Sequence, residues 1–96
     1  MSDLIETLFQ TIQDRKLHPK PGSYTNSLFT AGEDEIVKKV GEEAVEVVLA
    51  VKGQGKQRIV EETADLTYHL LVLLAACDLT WDDVCQELAR RHKPGN

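Results

Sequence analysis

The sequence predicts an all-α fold, and three observations carry that prediction. Apolar residues recur at helical spacing along almost the whole chain, and no useful run alternates as a strand would. Aromatic residues are few, with two Phe, two Tyr and one Trp. Helix breakers gather at a few places, chiefly "HPKPG" and "GQG", instead of recurring at the short spacing of a β protein. At 96 residues the chain reads as one domain over 1–96. A core of that size buries only roughly 60–65% of the unfolded surface, so self-association is expected to hide more.

Each element follows in order. Ser2 can cap a first helix of about Asp3 to Lys16, whose Leu4, Ile5, Leu8, Phe9 and Ile12 share a face. The stretch from Leu17 to Gly32, "LHPKPGSYTNSLFTAG", reads as a long surface loop, and loops of that length in small domains tend to be functional. A second helix is expected from Glu33 to Lys52, its first turn acidic as the helix dipole favours. "GQG" breaks the chain before a third helix from Lys56 to Cys77. Thr80 caps a short fourth, "WDDVCQELARRH", with acids early, arginines late and Trp81 as a packing residue.

Composition excludes several functions. Sixteen acidic against eleven basic residues give a net charge of −5, which argues against binding a nucleic-acid polymer. Cys77 and Cys85 lack C-x-x-C spacing and read as reduced core thiols. The N-terminus lacks a basic segment followed by a long apolar one, and "LLVLLAAC" is too short to span a bilayer. A cytoplasmic protein with no membrane partner is expected.

The chemistry sits on the central hairpin. On the second helix Ile36, Val37, Val40, Ala44, Val47, Val48 and Val51 form an apolar stripe, flanked by Lys39, Glu43 and Glu46. On the third, Ile59, Val60, Thr63, Leu66, Leu70, Leu73, Leu74 and Cys77 form the stripe, flanked by Glu62, Asp65 and His69. If the chain reverses at Gln54, Glu46 and Glu62 are each eight residues from the turn, and Glu43 and Asp65 each eleven. Both pairs then lie roughly 12–16 Å from it, at about 1.5 Å per residue. Four carboxylates in one patch either raise their pKa values or recruit cations. Oxygen ligands without cysteine suit Mg²⁺, or Mn²⁺, and zinc poorly. Either half of this pattern alone would read as a solvated helix face; the matched distances favour a metal site.

"EAVE" at 43–46 followed by "ETAD" at 62–65 resembles the E-x-x-E and E-x-x-D signature of the all-α, MazG-like nucleoside triphosphate pyrophosphatases. The longer segments "SYTNSLFTAGEDEIVKKVGEEAVEVVLA", "EETADLTYHLLVLL" and "ELARRH" are similar to the phosphoribosyl-ATP pyrophosphohydrolases, which act at the second step of histidine biosynthesis. The resemblance covers nearly the whole chain. It implies a MazG-like helical bundle dimerising into a four-helix core, and Mg²⁺-assisted attack of water between the α- and β-phosphates of phosphoribosyl-ATP. It makes Glu43, Glu46, Glu62 and Asp65 the metal-holding catalytic set. The length suggests the stand-alone form, without a fused cyclohydrolase domain.

Other residues keep two readings. Lys39 meets a phosphate or offsets the neighbouring acids. Glu42 supports a ligand or takes the water's proton, or is solvated; His69 orients a carboxylate or touches substrate, or is a satisfied side chain; Glu61 reads as solvated. Ser23, Tyr24 and Thr25 offer hydroxyls and a ring to the substrate, where the resemblance places contacts. Arg90 and Arg91 bind phosphate, from either subunit, or complement the negative end of their helix. Val45 and Leu49, with Tyr68 and Val72, point away from the main stripes and suggest a homodimer contact. Two alternatives stand beside the main reading: a house-cleaning pyrophosphatase for another nucleotide, and a non-catalytic helical dimerisation module.

Overall fold

The computed structural model describes residues 2–95 and is helical throughout, with no strand among the described residues. Five helices follow in order: α1 (Ser2–Leu17), α2 (Tyr24–Ala31), α3 (Glu33–Gly53), α4 (Lys56–Ala76) and α5 (Trp81–Arg91). The side chains of residues 2 and 3 lie outside the description, and with them the expected Ser2 cap.

The long helices α3 and α4 form the antiparallel hairpin that the sequence predicts. The turn is short: the last bond of α3 runs from Gln54 N–H to the Ala50 carbonyl at 3.0 Å, and α4 begins two residues later at Lys56. Gly55 then takes φ 89°, a left-handed value that other residues rarely adopt. The remaining helices gather at the far end from this turn. Phe9 and Ile12 of α1, Leu28 of α2, Ile36 of α3, and Leu71, Val72 and Ala75 of α4 make one core there. Trp81 packs against it at the start of α5, as expected. Thr80 caps α5 in a reciprocal box with Asp83, their backbone N–H groups and side chains exchanging bonds of 3.1 and 2.8 Å.

Four expectations are corrected. The segment Leu17 to Gly32 is not all loop, since α2 occupies its second half. Its residues are mediocre helix formers, and its support is tertiary and local. Ser23 caps it by accepting from Asn26 N–H at 3.2 Å. Asn26 in turn donates to the Arg15 carbonyl at 2.6 Å and accepts from Lys20 N–H at 2.7 Å, tying α2 to the end of α1.

The apolar stripes are also turned differently. Val37, Val48, Val51, Val60 and Leu70 are exposed in the single chain, while Glu62 and His69 are buried. Tyr68 and Val72, expected on a second outward patch, turn inward, Val72 at 0% exposure in the core and Tyr68 packed against it toward α2, whereas Val45 and Leu49 do face outward. Both helices are apolar on more than one side, so periodicity does not say which side meets the short helices α1 and α2. Cys77, expected in the core, is exposed at the end of α4. Toward the hairpin turn Ala50 alone among the described residues of the arm is buried and apolar, leaving Val45, Val48, Leu49, Val51 and Val60 uncovered.

Candidate functional site

Moving from the core toward the turn, the facing surfaces of α3 and α4 change from apolar to acidic. Glu43 of α3 and Glu62 and Asp65 of α4 come together there, each offering one carboxylate oxygen within 4.8 Å of the others. Glu43 and Asp65 are one of the two matched pairs in the sequence. Glu46 is not a member of this trio, although its charge reaches Glu43.

The electrostatics follow from that crowding. Glu43 holds its proton more tightly than an ordinary glutamate, first because burial strips it of water. Asp65, Glu62 and Glu46 push in the same direction, and His69 opposes them. Glu62 is only 5% exposed, and a buried charge needs a partner. Arg58 supplies it from one turn earlier on α4, bonding Glu62 with one guanidinium nitrogen and Glu61 with the other, the latter at 2.6 Å. Sequence reasoning missed Arg58. Its spacing of three and four residues from Glu61 and Glu62 was the available signal. Glu61 stays exposed, and its bonds from Arg58 and then Gln57 hold its pKa below the usual carboxylate range.

His69 lies under Asp65 with 6% exposure. Its Nδ1 is 2.7 Å from the Asp65 backbone carbonyl, which can only accept, so the ring carries a proton on Nδ1. In the neutral ring Nε2 therefore accepts, and the Tyr24 hydroxyl donates to it at 3.0 Å. With both nitrogens engaged, His69 contributes no ligand atom to the trio. The donor set is then carboxylate oxygen alone, which fits a hard divalent cation such as Mg²⁺ or Mn²⁺.

The other candidates are distributed around this centre. Ser23 caps α2, Tyr24 is half exposed with its hydroxyl on His69, and Thr25 bonds the Tyr68 hydroxyl. An open cleft of about 670 Å³ lies along the outer side of this segment, lined by Lys20, Gly22, Ser23, Tyr24, Asn26 and Thr30 among others. Tyr24 thus borders both the cleft and His69. Lys39 is partly exposed, with its Nζ 3.9 Å from the carboxylate of Glu42 one turn on, a loose surface pair. Arg90 and Arg91 both turn back on Glu87 within α5, with Nε bonds of 3.0 and 2.8 Å.

An all-helical chain whose central hairpin sets E-x-x-E against E-x-x-D is built as the all-α, MazG-like nucleoside triphosphate pyrophosphatases are. The family model for phosphoribosyl-ATP pyrophosphohydrolase matches residues 5–92. The chain belongs to that family. A phosphoribosyl-ATP pyrophosphatase of Limosilactobacillus fermentum is 54% identical over 91 residues, covering 95% of this chain and 85% of that protein. One from Bacillus mycoides is 48% identical over 92 residues, covering 96% and 86%. A histidine biosynthesis bifunctional protein of Caldanaerobacter subterraneus subsp. tengcongensis is 50% identical over 91 residues, and there the match spans 44% of the longer chain.

Proposed function

We propose that this protein hydrolyses phosphoribosyl-ATP to phosphoribosyl-AMP and pyrophosphate, water adding at phosphorus and the bridge between the α- and β-phosphates breaking. The observation that carries the reading is the carboxylate trio across the hairpin in a chain of this family. Glu43, Glu62 and Asp65, with Glu46 nearby, would hold Mg²⁺, with Mn²⁺ as a substitute. When bound, such a cation neutralises phosphoryl oxygens and lowers the pKa of a coordinated water.

The chain's own groups do the rest. Glu62, at 5% exposure, closes one side of the trio to bulk water. His69 fixes the Asp65 backbone, and so the carboxylate's starting point on α4. The exposed face of Tyr24 and the N–H groups opening α2 offer stacking and hydrogen bonds to the nucleotide. Lys39 and Glu42 adjust the charge at the rim. An acidic protein would in this way take a polyanion through its metal and not through a basic surface.

The uncovered valines and leucines on the hairpin arm support a homodimer in which two hairpins pack into four helices. Arg90 and Arg91, on an exposed helix, would then stand to meet phosphate in one subunit's site or the other's. The test is a panel of nucleotides, phosphoribosyl-ATP against ATP, dUTP and other triphosphates, assayed for pyrophosphate with Mg²⁺. Preference for phosphoribosyl-ATP is expected. Preference for another triphosphate would indicate a house-cleaning enzyme on the same metal site, and no release from any would leave the helical dimerisation module.

A further inference from the structure

Tyr68 makes contacts that the chemistry above does not use. Its ring stacks on Tyr24, with centroids 6.2 Å apart and planes 25° apart, and meets His69 edge-on at 5.3 Å. Its hydroxyl bonds the Thr25 hydroxyl. Consecutive residues of α4, Tyr68 and His69, therefore receive consecutive residues of α2, Thr25 and Tyr24. One cross-helix bond would leave a pivot; two side by side fix both rotation and translation of the first turn of α2. That turn needs fixing. At eight residues α2 is too short to be stable alone, and its sequence "YTNSLFTA" is poor in strong helix formers.

We propose that Tyr68 is a positioning residue, holding Ser23, Tyr24 and Thr25 in register beside the carboxylate trio so that the segment meets the nucleotide preformed. The inference rests on the reading of the site given above. Without the Tyr68 hydroxyl the first turn of α2 must be ordered when substrate arrives, and the binding step bears the cost. The chemical step, which depends on the acids of α3 and α4, does not.

The test uses the full chain with Mg²⁺. Tyr68→Phe keeps the ring and the stack and removes one end of the bond, Thr25→Val removes the other, and Thr25→Ser keeps the hydroxyl. For loss of one hydrogen bond, Tyr68→Phe is expected to raise KM for phosphoribosyl-ATP roughly two- to tenfold with kcat nearly unchanged. The double variant Tyr68→Phe with Thr25→Val should lose no more than the weaker single variant, because both delete one bond. Thr25→Ser, which keeps the hydroxyl partner of Tyr68, should leave amide exchange over residues 24–31 at the wild-type rate. Amide hydrogen exchange over residues 24–31 should accelerate by a similar factor in Tyr68→Phe, with residues 43–46 and 62–65 unaltered. Unchanged exchange over 24–31 would overturn the proposal, as would a fall in kcat with faster exchange across the whole chain. A wild-type protein that releases no pyrophosphate would instead defeat the functional reading, and the exchange comparison would still decide the role of Tyr68.

Discussion

Replacing Glu43 with Gln should stabilise the protein without metal and weaken it with metal. Two unit charges at 4.8 Å, the outer limit of the oxygen separations in the trio, repel by about 0.9 kcal/mol at the dielectric constant of water and by about 3.5 kcal/mol at an effective value near 20. Asp65 is exposed and Glu43 only half-buried, so screening favours the lower end of that range. Glu43 faces two such neighbours, and removing its charge should gain about 1–2 kcal/mol. For a domain of this size that corresponds to a rise of roughly 5–15 °C in Tm.

The gain must depend on pH in one direction. Because the folded-state pKa of Glu43 is raised, wild-type stability is fully present below the ordinary glutamate value of 4.5 and is lost as pH rises through the raised value. Gln does not ionise, so its advantage should be full at pH 7 and absent below pH 4.5. Metal reverses the order. A cation at a hundred times its Kd adds about 2.7 kcal/mol to the protein that binds it. This exceeds the repulsion removed, so in excess Mg²⁺ the wild type should melt above the variant. Thermal melts at low salt, with chelator and with millimolar Mg²⁺, at pH 4 and pH 7, give all four comparisons. A Glu43→Gln variant that melts lower than wild type in chelator at pH 7, or an equal gain from Mg²⁺ in both, would refute the reasoning.

Further outcomes follow from single contacts. Asp65→Asn and Glu46→Gln should each abolish turnover with the fold retained by circular dichroism, and residual activity in Glu46→Gln alone would assign the holding of the cation to the trio. Arg58→Gln leaves Glu62 buried without its cation, so Tm should fall in chelator and recover when Glu62→Gln is added. Lys16 donates to the Ala75 carbonyl at 2.7 Å and pairs with Asp78 at 2.8 Å; Lys16→Met should cost about 1 kcal/mol, or roughly 4–8 °C in Tm, without changing KM. Val72→Ala should lower Tm through a core cavity worth about 1.5–3 kcal/mol and leave assembly unchanged, whereas Val45→Glu should change the sedimentation coefficient of the protein.

The hairpin and one matched pair of its acids were legible because one short turn sets the register: once Gln54 is the reversal, counting places Glu43 beside Asp65 whatever the neighbouring helices do, whereas Glu46, which the same count pairs with Glu62, stays outside the trio. The existence of α2 was not legible. Gly, Ser, Thr and Asn around it carry loop propensity, and the contacts that overrule them reach back to Arg15 and across to Tyr68 and His69. The choice of inner face on α4 was hidden for a related reason. Its apolar residues surround much of the helix, so Glu62 and His69 read from the sequence as a flank and Val72 as an outward patch, and all three become interior only when α1, α2 and α3 pack on the helix. Arg58 escaped notice because an exposed arginine near a turn is ordinary, and its significance depends on the burial of Glu62.

Hydrolysis of phosphoribosyl-ATP in ¹⁸O-labelled water, with the products weighed by mass spectrometry, tests the central claim most directly. With Mg²⁺ present, phosphoribosyl-AMP and pyrophosphate are expected in equal amounts, with the label in one of them, and no turnover is expected in chelator. Release of orthophosphate in place of pyrophosphate, or turnover undiminished by chelator, would contradict the account.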